Sequence, residues 1–347
     1  MGRLRVMTWN VENLFLPGQD AGPDTEEAFA DKLASLAGVI DQVAPDVAAL
    51  QEVGPDDALA RLQAALTHPL PHAATGDPDD RGIRVALLSA RPLAGIGRIR
   101  PFPDGVRAVQ DKDEVFDDPS TPGVDESMTR EMGRSALAAT VEVDGGPVTV
   151  VTAHFKSKLI SYARKQGVVG GSKFAPNDEG ERLRYAGYAI FRRTGEAMTV
   201  RAHLDQLLAD PGDPTVGLGK QRAVVFCGDL NDEPDAATTQ IVAGPSGSEI
   251  DRTPGSAFDR PDHDDAFRLW NLAPLLPADQ RFTRVFKGRG ELIDHIFATH
   301  RLVNPGNLPA VQTIRSPTPL PSIGDDPNSR RNEPGSDHAA VVATFNL

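Results

Sequence analysis

The chain has 347 residues, ample for a sizeable core, and its 39% hydrophobic and 24% charged content excludes wholesale disorder. A formal net charge of -13 excludes a surface that coats itself with nucleic acid by bulk electrostatics, and a single cysteine excludes an internal disulfide. The 32 Gly and 29 Pro predict many loops.

The start, "MGRLRVMTWN", passes into an alternating strand without the apolar run of a signal peptide, and no stretch is of membrane length. A cytoplasmic protein with no membrane attachment is the expectation. Leu4, Val6 and Thr8 share one face of this first strand. Asp24 and Glu27 suit a capping box for a helix carrying Phe29, Leu33, Leu36, Ile40 and Val43, with Pro45 just past its end. "DVAALQE" follows as a short buried strand, so Asn10 and Glu52 each lie just past the carboxyl end of a strand.

A second helix is predicted from Asp56 to Leu66, then a polar turn, "GDPDDRG", and a strand, "RVALLSA". The stretch near 101–133 is rich in Asp, Glu and Pro and forms a long loop, either a lid or a disordered segment. "SALAATVEVDGGPVTVVTAHF" gives two strands around an Asp-Gly-Gly turn, with His154 ending the second. From Lys156 to Arg201 there are ten Lys and Arg against four Asp and Glu, making this basic insertion the first place to seek contact with a polyanion. A helical pattern runs from about Glu181 to Leu208 within and beyond it.

"VVFCGDLNDEPD" is a buried strand that ends in Asp229, Asn231, Asp232 and Glu233, with Cys227 as a buried, inert thiol. Loops then extend to about Arg281. "FTRVFKGRGELIDHIFAT" is predicted to form two strands joined at Lys-Gly-Arg-Gly. A Pro-rich stretch leads to "GSDHAAVVATF" and a final strand. Hairpins mixed with helical crossovers fit a two-sheet sandwich flanked by helices, and with no repeat or linker a single domain over 1–347 is expected.

Asn10, Glu52, His154, Asp229, Asn231, Asp294, Asp337 and His338 each lie in or beside the end of an apolar strand. Strand ends gather at the rim of a sheet, where residues distant in sequence share a pocket. Carboxylates and carboxamides without Cys are hard ligands suited to Mg²⁺ or Mn²⁺, and two histidines beside such an ion can handle protons near neutral pH. Metal, acid and base together point to attack of water on a phosphoester. Singly the motifs are weak: "GDLND" is more often a turn, a lone His154 is as often structural, and "SDH" is more often a helix cap or turn. His295 and His300 are expected to be structural or solvated.

Together, "TWNVENLF", "ALQEV", "TAHFKSK", "GDLNDEP", "LIDHIF" and "GSDHAAV" resemble the endonuclease/exonuclease/phosphatase superfamily of deoxyribonuclease I-like phosphoesterases, in the family's order and over nearly the whole chain. The resemblance implies an α/β fold, a four-layer α/β/β/α sandwich of two mixed sheets with outer helices and a site at one rim. It assigns Glu52, Asn10 and Asp337 to the metal, and Asp229 and Asn231 to the attacking water and the phosphate. It makes His338 the catalytic histidine, oriented by Asp294, with water activated by His338 or by Asp229. His154 matches the second histidine of nuclease-like and phosphatase-like members, as proton donor or phosphate ligand. Arg134 matches an arginine that grips a substrate phosphate, whereas Arg84 is expected to be a surface residue.

Lys156 and Lys158 are expected to reach a polyanion from the rim. Arg192, Arg193 and Arg201 either join them or solvate the helix. Asp232, Glu233 and Asp235 are expected to face solvent around the turn. The function implied is a Mg²⁺- or Mn²⁺-dependent phosphodiesterase acting on nucleic acid, DNA favoured. The alternatives are a phosphatase or phospholipase acting on smaller phosphoesters, and a binding module without activity. With only two Trp and no aromatic membrane hairpin, the lipid version is disfavoured.

Overall fold

A computed structural model describes residues 2–19, 22–111, 128–158, 179–245, 250, 266–303, 306–326 and 329–347. The chain opens with β1 (Arg3–Leu14), α1 (Glu26–Val43), β2 (Val47–Val53), α2 (Asp56–Ala65), β3 (His72–Thr75), β4 (Arg84–Ser89) and β5 (Leu93–Pro101). Two short strands, β6 (Val109–Gln110) and β7 (Met128–Thr129), pair with each other before the hairpin of β8 (Glu131–Val143) and β9 (Gly146–His154). The middle of the chain supplies α3 (Glu179–Leu208), β10 (Ala223–Asp229), α4 (Ala237–Ala243) and β11 (Leu269–Asn271). Last come β12 (Arg284–Phe286), β13 (Arg289–Glu291), β14 (Asp294–Thr299), β15 (Ala310–Ile314), β16 (Ser322–Ile323) and β17 (Ala340–Asn346).

Two six-stranded sheets result, ordered β15-β17-β1-β2-β4-β3 and β11-β14-β10-β9-β8-β5. Strand alternation sends Leu4, Val6, Val47 and Val341 of the first sheet and Val148, Val150, Val225 and Ile296 of the second into a shared core between them. Met7, Trp9, Leu50 and Val342, on the opposite face of the first sheet, pack under Phe29, Leu36 and Ile40 of α1 and Leu59 and Leu62 of α2. Val151, Val224, Phe226 and Phe297 of the second sheet pack under Val200, Leu204 and Leu208 of α3 and Val242 of α4. Each sheet is thus covered on both faces, and the layers run α/β/β/α. Among the described residues, no helix is long and apolar enough to cross a membrane.

One parallel pair in each sheet determines where the polar strand ends meet. Because β1 and β2 run parallel, Asn10 and Glu52 arrive at the same edge of the first sheet. The parallel pair β9 and β10 brings His154 beside Asp229, and antiparallel β14 begins there with Asp294 in register with Asp229. Antiparallel β17 likewise starts beside the end of β1, just after His338. Beneath this rim the buried Gln51 donates to Thr8 of its own sheet and to Thr152 of the other, each at 3.1 Å.

Several local expectations are corrected. The cap of α1 is Thr25, whose hydroxyl accepts from the N–H of Ala28 at 3.2 Å, because the extended backbone at Thr25 places it at the turn's start; Asp24 instead accepts from Asn332 at 2.7 Å. "FTRVFKGRGELIDHIFAT" holds three strands, not two. Lys287 and Gly288, both with positive φ, make the tight turn of β12 and β13, and β14 then leaves for the second sheet. Strands β3, β5, β11 and β15 escaped the apolar pattern; β5 is a largely exposed edge strand rich in Gly and Arg. The acidic stretch 101–133 is partly ordered as the end of β5, the pair β6 and β7, and the start of β8, while 112–127 of it and 159–178 of the basic insertion lie outside the described residues.

Candidate active site

At the rim the two sheets are joined by side chains. Asn10 donates from its amide to Glu52 at 3.1 Å and to Asp229 at 3.0 Å, and its oxygen accepts from the N–H of Glu12 at 3.0 Å. That backbone donor fixes the amide's orientation. His338 Nδ1 is 2.8 Å from Asp294 Oδ2, and its Nε2 faces Asp229 at 4.0 Å. The backbone behind it is pinned, since Trp9 donates to the His338 carbonyl at 2.8 Å and Ser336 accepts from the His338 N–H at 3.0 Å. His154 Nε2 approaches Asp229 at 3.5 Å and Glu52 at 4.0 Å. Asn231 accepts nothing from these groups; its own N–H reaches Asp229 at 2.8 Å and its amide donates to the Phe155 carbonyl at 3.1 Å.

Backbone strain is concentrated here. Glu12, Asn13, Glu52 and Asn231 all adopt positive φ without being glycine, a conformation that costs on the order of 1 kcal/mol and persists where surrounding contacts over-determine it. Glu52 is held by Asn10 and by the N–H of Asn13 at 3.1 Å. Gly228, at φ 151°, has a different reason: a Cβ there would lie 1.9 Å from the carbonyl oxygen of Ala153 on β9. Only glycine lets β10 deliver Asp229 so close to His154.

The electrostatics divide the site. Burial raises Asp229 to about 6, and the neighbouring Asp294 charge adds to it against the pull of His338 and Asn10. For His338, burial opposes the charged ring, but Asp294, Asp337 and Asp229 outweigh it and raise the group to about 10. His154 goes the other way, lowered well below its usual value by burial and then by the Arg134 guanidinium, which lies 2.9 Å from its Nδ1. Lys156 is lowered to about 8 by burial and by Arg81. Cys227, raised by burial to about 12, is an inert thiol.

Other expected site residues have different surroundings. Asp337 donates its N–H to Glu12 at 3.0 Å, and Glu12 in turn accepts from Arg330 at 3.0 Å. Burial and the Asp337 charge raise Glu12 to about 7. Lys156 lies near His154, but Lys158 does not point freely outward: it pairs with Glu291 at 3.3 Å, on the carboxylate that also holds Arg284 at 2.7 Å. Arg192, Arg193 and Arg201 are buried, not solvated. They tie α3 to its surroundings through Asp111, through Asp232 at 3.0 Å, and through the Val242 carbonyl at 3.0 Å respectively. Asp232 is therefore engaged rather than solvent-facing, and it also accepts from Thr238 at 2.6 Å. Arg84 pairs with Asp56 at 3.1 Å at the protein surface. His295 is structural, 2.9 Å from the Asp232 carbonyl, and His300 packs edge-on against Trp270 at 5.4 Å.

Sequence reasoning missed Glu12, Asp79, Arg81, Ser336 and Arg284. Glu12 carried a signal, since it lies two residues after Asn10 and strand alternation puts both on one face. Arg284, bridged through its backbone to His338, follows no motif.

The donor set fits a hard divalent cation. Asp229, Asp294 and His338 have ligand atoms within 4.8 Å of one another, Asp294 Oδ1 is buried with no hydrogen-bond partner, and Asp229 and Asp294 repel each other. Added positive charge would relieve that repulsion.

A two-sheet sandwich with carboxylates and a carboxylate-paired histidine on one rim defines a phosphoesterase of the deoxyribonuclease I-like type. The chain belongs to the endonuclease/exonuclease/phosphatase family, whose sequence model matches residues 7–338. It is an enzyme of that family's class, the divalent-metal-dependent phosphoester hydrolases. Its fold is similar to the human Nocturnin catalytic domain, crystallised with sulfate, at 18% identity and TM-score 0.52 over 99% of this chain and 94% of that one. Truncated Caenorhabditis elegans TDP2 is similar at 15% identity and TM-score 0.51, covering 99% and 98%. ANGEL2, a 2′,3′-cyclic phosphatase in complex with adenosine-2′,3′-vanadate, is similar at 12% identity and TM-score 0.52, covering 99% and 95%. No curated protein matches the chain in sequence.

Proposed function

We propose that this chain is a Mg²⁺- or Mn²⁺-dependent phosphodiesterase that hydrolyses nucleic acid, DNA before RNA, through one catalytic domain over residues 1–347. The observation that carries the reading is the facing pair of charge systems: His338 on Asp294 across from Asp229, with Glu52 joined to Asp229 through Asn10. Glu52 and Asp337 would hold the ion, whose charge would offset the repulsion between Asp229 and Asp294; Asn10 positions Glu52, and the protonated His338 would not be a ligand. When bound, the ion supplies Lewis-acid polarisation of the phosphate and neutralises leaving-group charge. With its pKa near 10, His338 is an imidazolium at neutral pH and donates to the phosphate oxygens. Asp229, raised to about 6, is ionised at pH 7 and suited to take the proton of the attacking water. Asn231, hydrogen-bonded to Phe155 and Asp229, keeps the Asp229 loop in place. Arg134 and Lys156 form the phosphate-facing cationic wall around His154, with Lys158 behind it on Glu291.

The test is an activity screen with added Mg²⁺ or Mn²⁺ over circular DNA, linear DNA, RNA and small phosphoesters, with His338→Ala as control. The fold is shared with a 2′,3′-cyclic phosphatase, which is why small phosphoesters belong in the panel. Metal-dependent cleavage of DNA that H338A loses supports the reading. Turnover of small phosphoesters alone makes the protein a phosphatase, and cleavage that survives both chelation and H338A overturns the mechanism.

A further inference from the structure

Asp79 lies in the "GDPDDRG" turn between β3 and β4, and its side chain is 4% exposed. One oxygen closes the turn, accepting from the N–H groups of Arg81 at 2.9 Å and Ile83 at 3.1 Å. The other faces two guanidinium groups, Arg134 at 3.5 Å and Arg81 at 3.7 Å. Arg134 is itself buried, and its second terminal nitrogen is 2.9 Å from His154 Nδ1.

The chemistry of this chain of contacts is restrictive. A guanidinium has only donors, so His154 Nδ1 must offer its lone pair and the ring proton must lie on Nε2. That N–H is the one directed at Asp229 and Glu52.

We propose that Asp79 is a positioning residue that aims Arg134 at His154 and thereby fixes His154 as an Nε2–H donor to the substrate phosphate. Arg81, on the same carboxylate but with its side chain 58% exposed, is the outer arm of the clamp and meets an adjacent phosphate of a polynucleotide. This substrate assignment rests on the phosphodiesterase reading above. His154 then binds phosphate and does not protonate the leaving group, so the two histidines of the site have different tasks set by different partners.

The experiment pairs ring nitrogen NMR of the full chain, ¹⁵N-labelled at histidine and free of metal and substrate, with steady-state kinetics on oligonucleotide DNA. Wild-type His154 is expected to show the proton on Nε2. Asp79→Asn keeps the oxygen that closes the turn and removes the charge. It should mix the His154 tautomers and raise KM roughly tenfold with a smaller effect on kcat, in line with losing a charge-assisted contact. Arg81→Ala should raise KM for the oligonucleotide and leave the His154 ring pattern as in wild type. Wild-type His154 protonated on Nδ1, or D79N with both ring pattern and KM unchanged, would overturn the proposal. If the wild-type protein cleaves no nucleic acid, the functional reading falls, and the ring pattern still decides the role of Asp79.

Discussion

Asn10 and Asp229 belong to different sheets, and the 3.0 Å hydrogen bond between them links the two directly at the rim. The same amide holds Glu52. Asn10→Ala leaves both carboxylates short of a donor, a loss of about 1.5–3 kcal/mol for hydrogen bonds to charged groups. Steady-state kinetics should show kcat/KM reduced roughly 10- to 100-fold.

His338 gives a pH signature in the metal-free protein. Its folded pKa, about 10, is raised above the usual 6.5, so its contribution to stability is complete below pH 6.5 and is lost as pH rises towards 10. Lys156, lowered to about 8, works in the opposite sense above that pH, which makes the difference between proteins the informative quantity. Urea denaturation at pH 6.5 and 9 should show His338→Gln losing less stability over this interval than wild type, by up to about 1.4 kcal/mol per pH unit.

Adding Mg²⁺ or Mn²⁺ should raise the melting temperature, because an ion that binds only the folded chain stabilises it by mass action. Glu52→Gln should reduce that shift by scanning fluorimetry, and excess chelator should abolish it in both proteins.

Much of the site was legible in the sequence because each of its strands carries a polar residue where an apolar run begins or ends. Asn10, Glu52, His154, Asp229, Asp294 and His338 could be picked from that pattern and are brought together at one rim. The surrounding ion pairs were not legible, since a charge has no periodicity that names its partner. Arg193 looked like a helix-surface residue until Asp232 was found beside it, and Lys158 like a free cation until Glu291 was. Edge strand β5 was hidden for a related reason: one side of an edge is unpaired, so its residues need not be apolar.

Arg193 supplies a test of those buried ties. It donates to Asp232 and to the Lys156 carbonyl, each at 3.0 Å, with a side chain only 7% exposed. Arg193→Ala should lower stability by about 3 kcal/mol, the usual loss when one partner of a buried pair is removed. Chemical denaturation measures it directly.

Gly228→Ala should be at least as damaging, because its methyl would overlap the Ala153 carbonyl at 1.9 Å in a backbone geometry that alanine rarely adopts. A loss of roughly 3 kcal/mol or more, read from the denaturation midpoint, accompanies such combined overpacking and strain.

The central placement of β1 between β2 and β17 has a consequence for how this enzyme comes into being. Asn10 and His338 are more than three hundred residues apart in the chain, yet the two stand within one pocket, linked by the Ser336 hydroxyl that donates to the Asn10 carbonyl at 2.6 Å. Before residues 336–346 are made, Asn10, Glu52 and Asp229 are all present but Asp294 has no His338 beside it. The complete pocket therefore depends on residues 336–346 lying along β1.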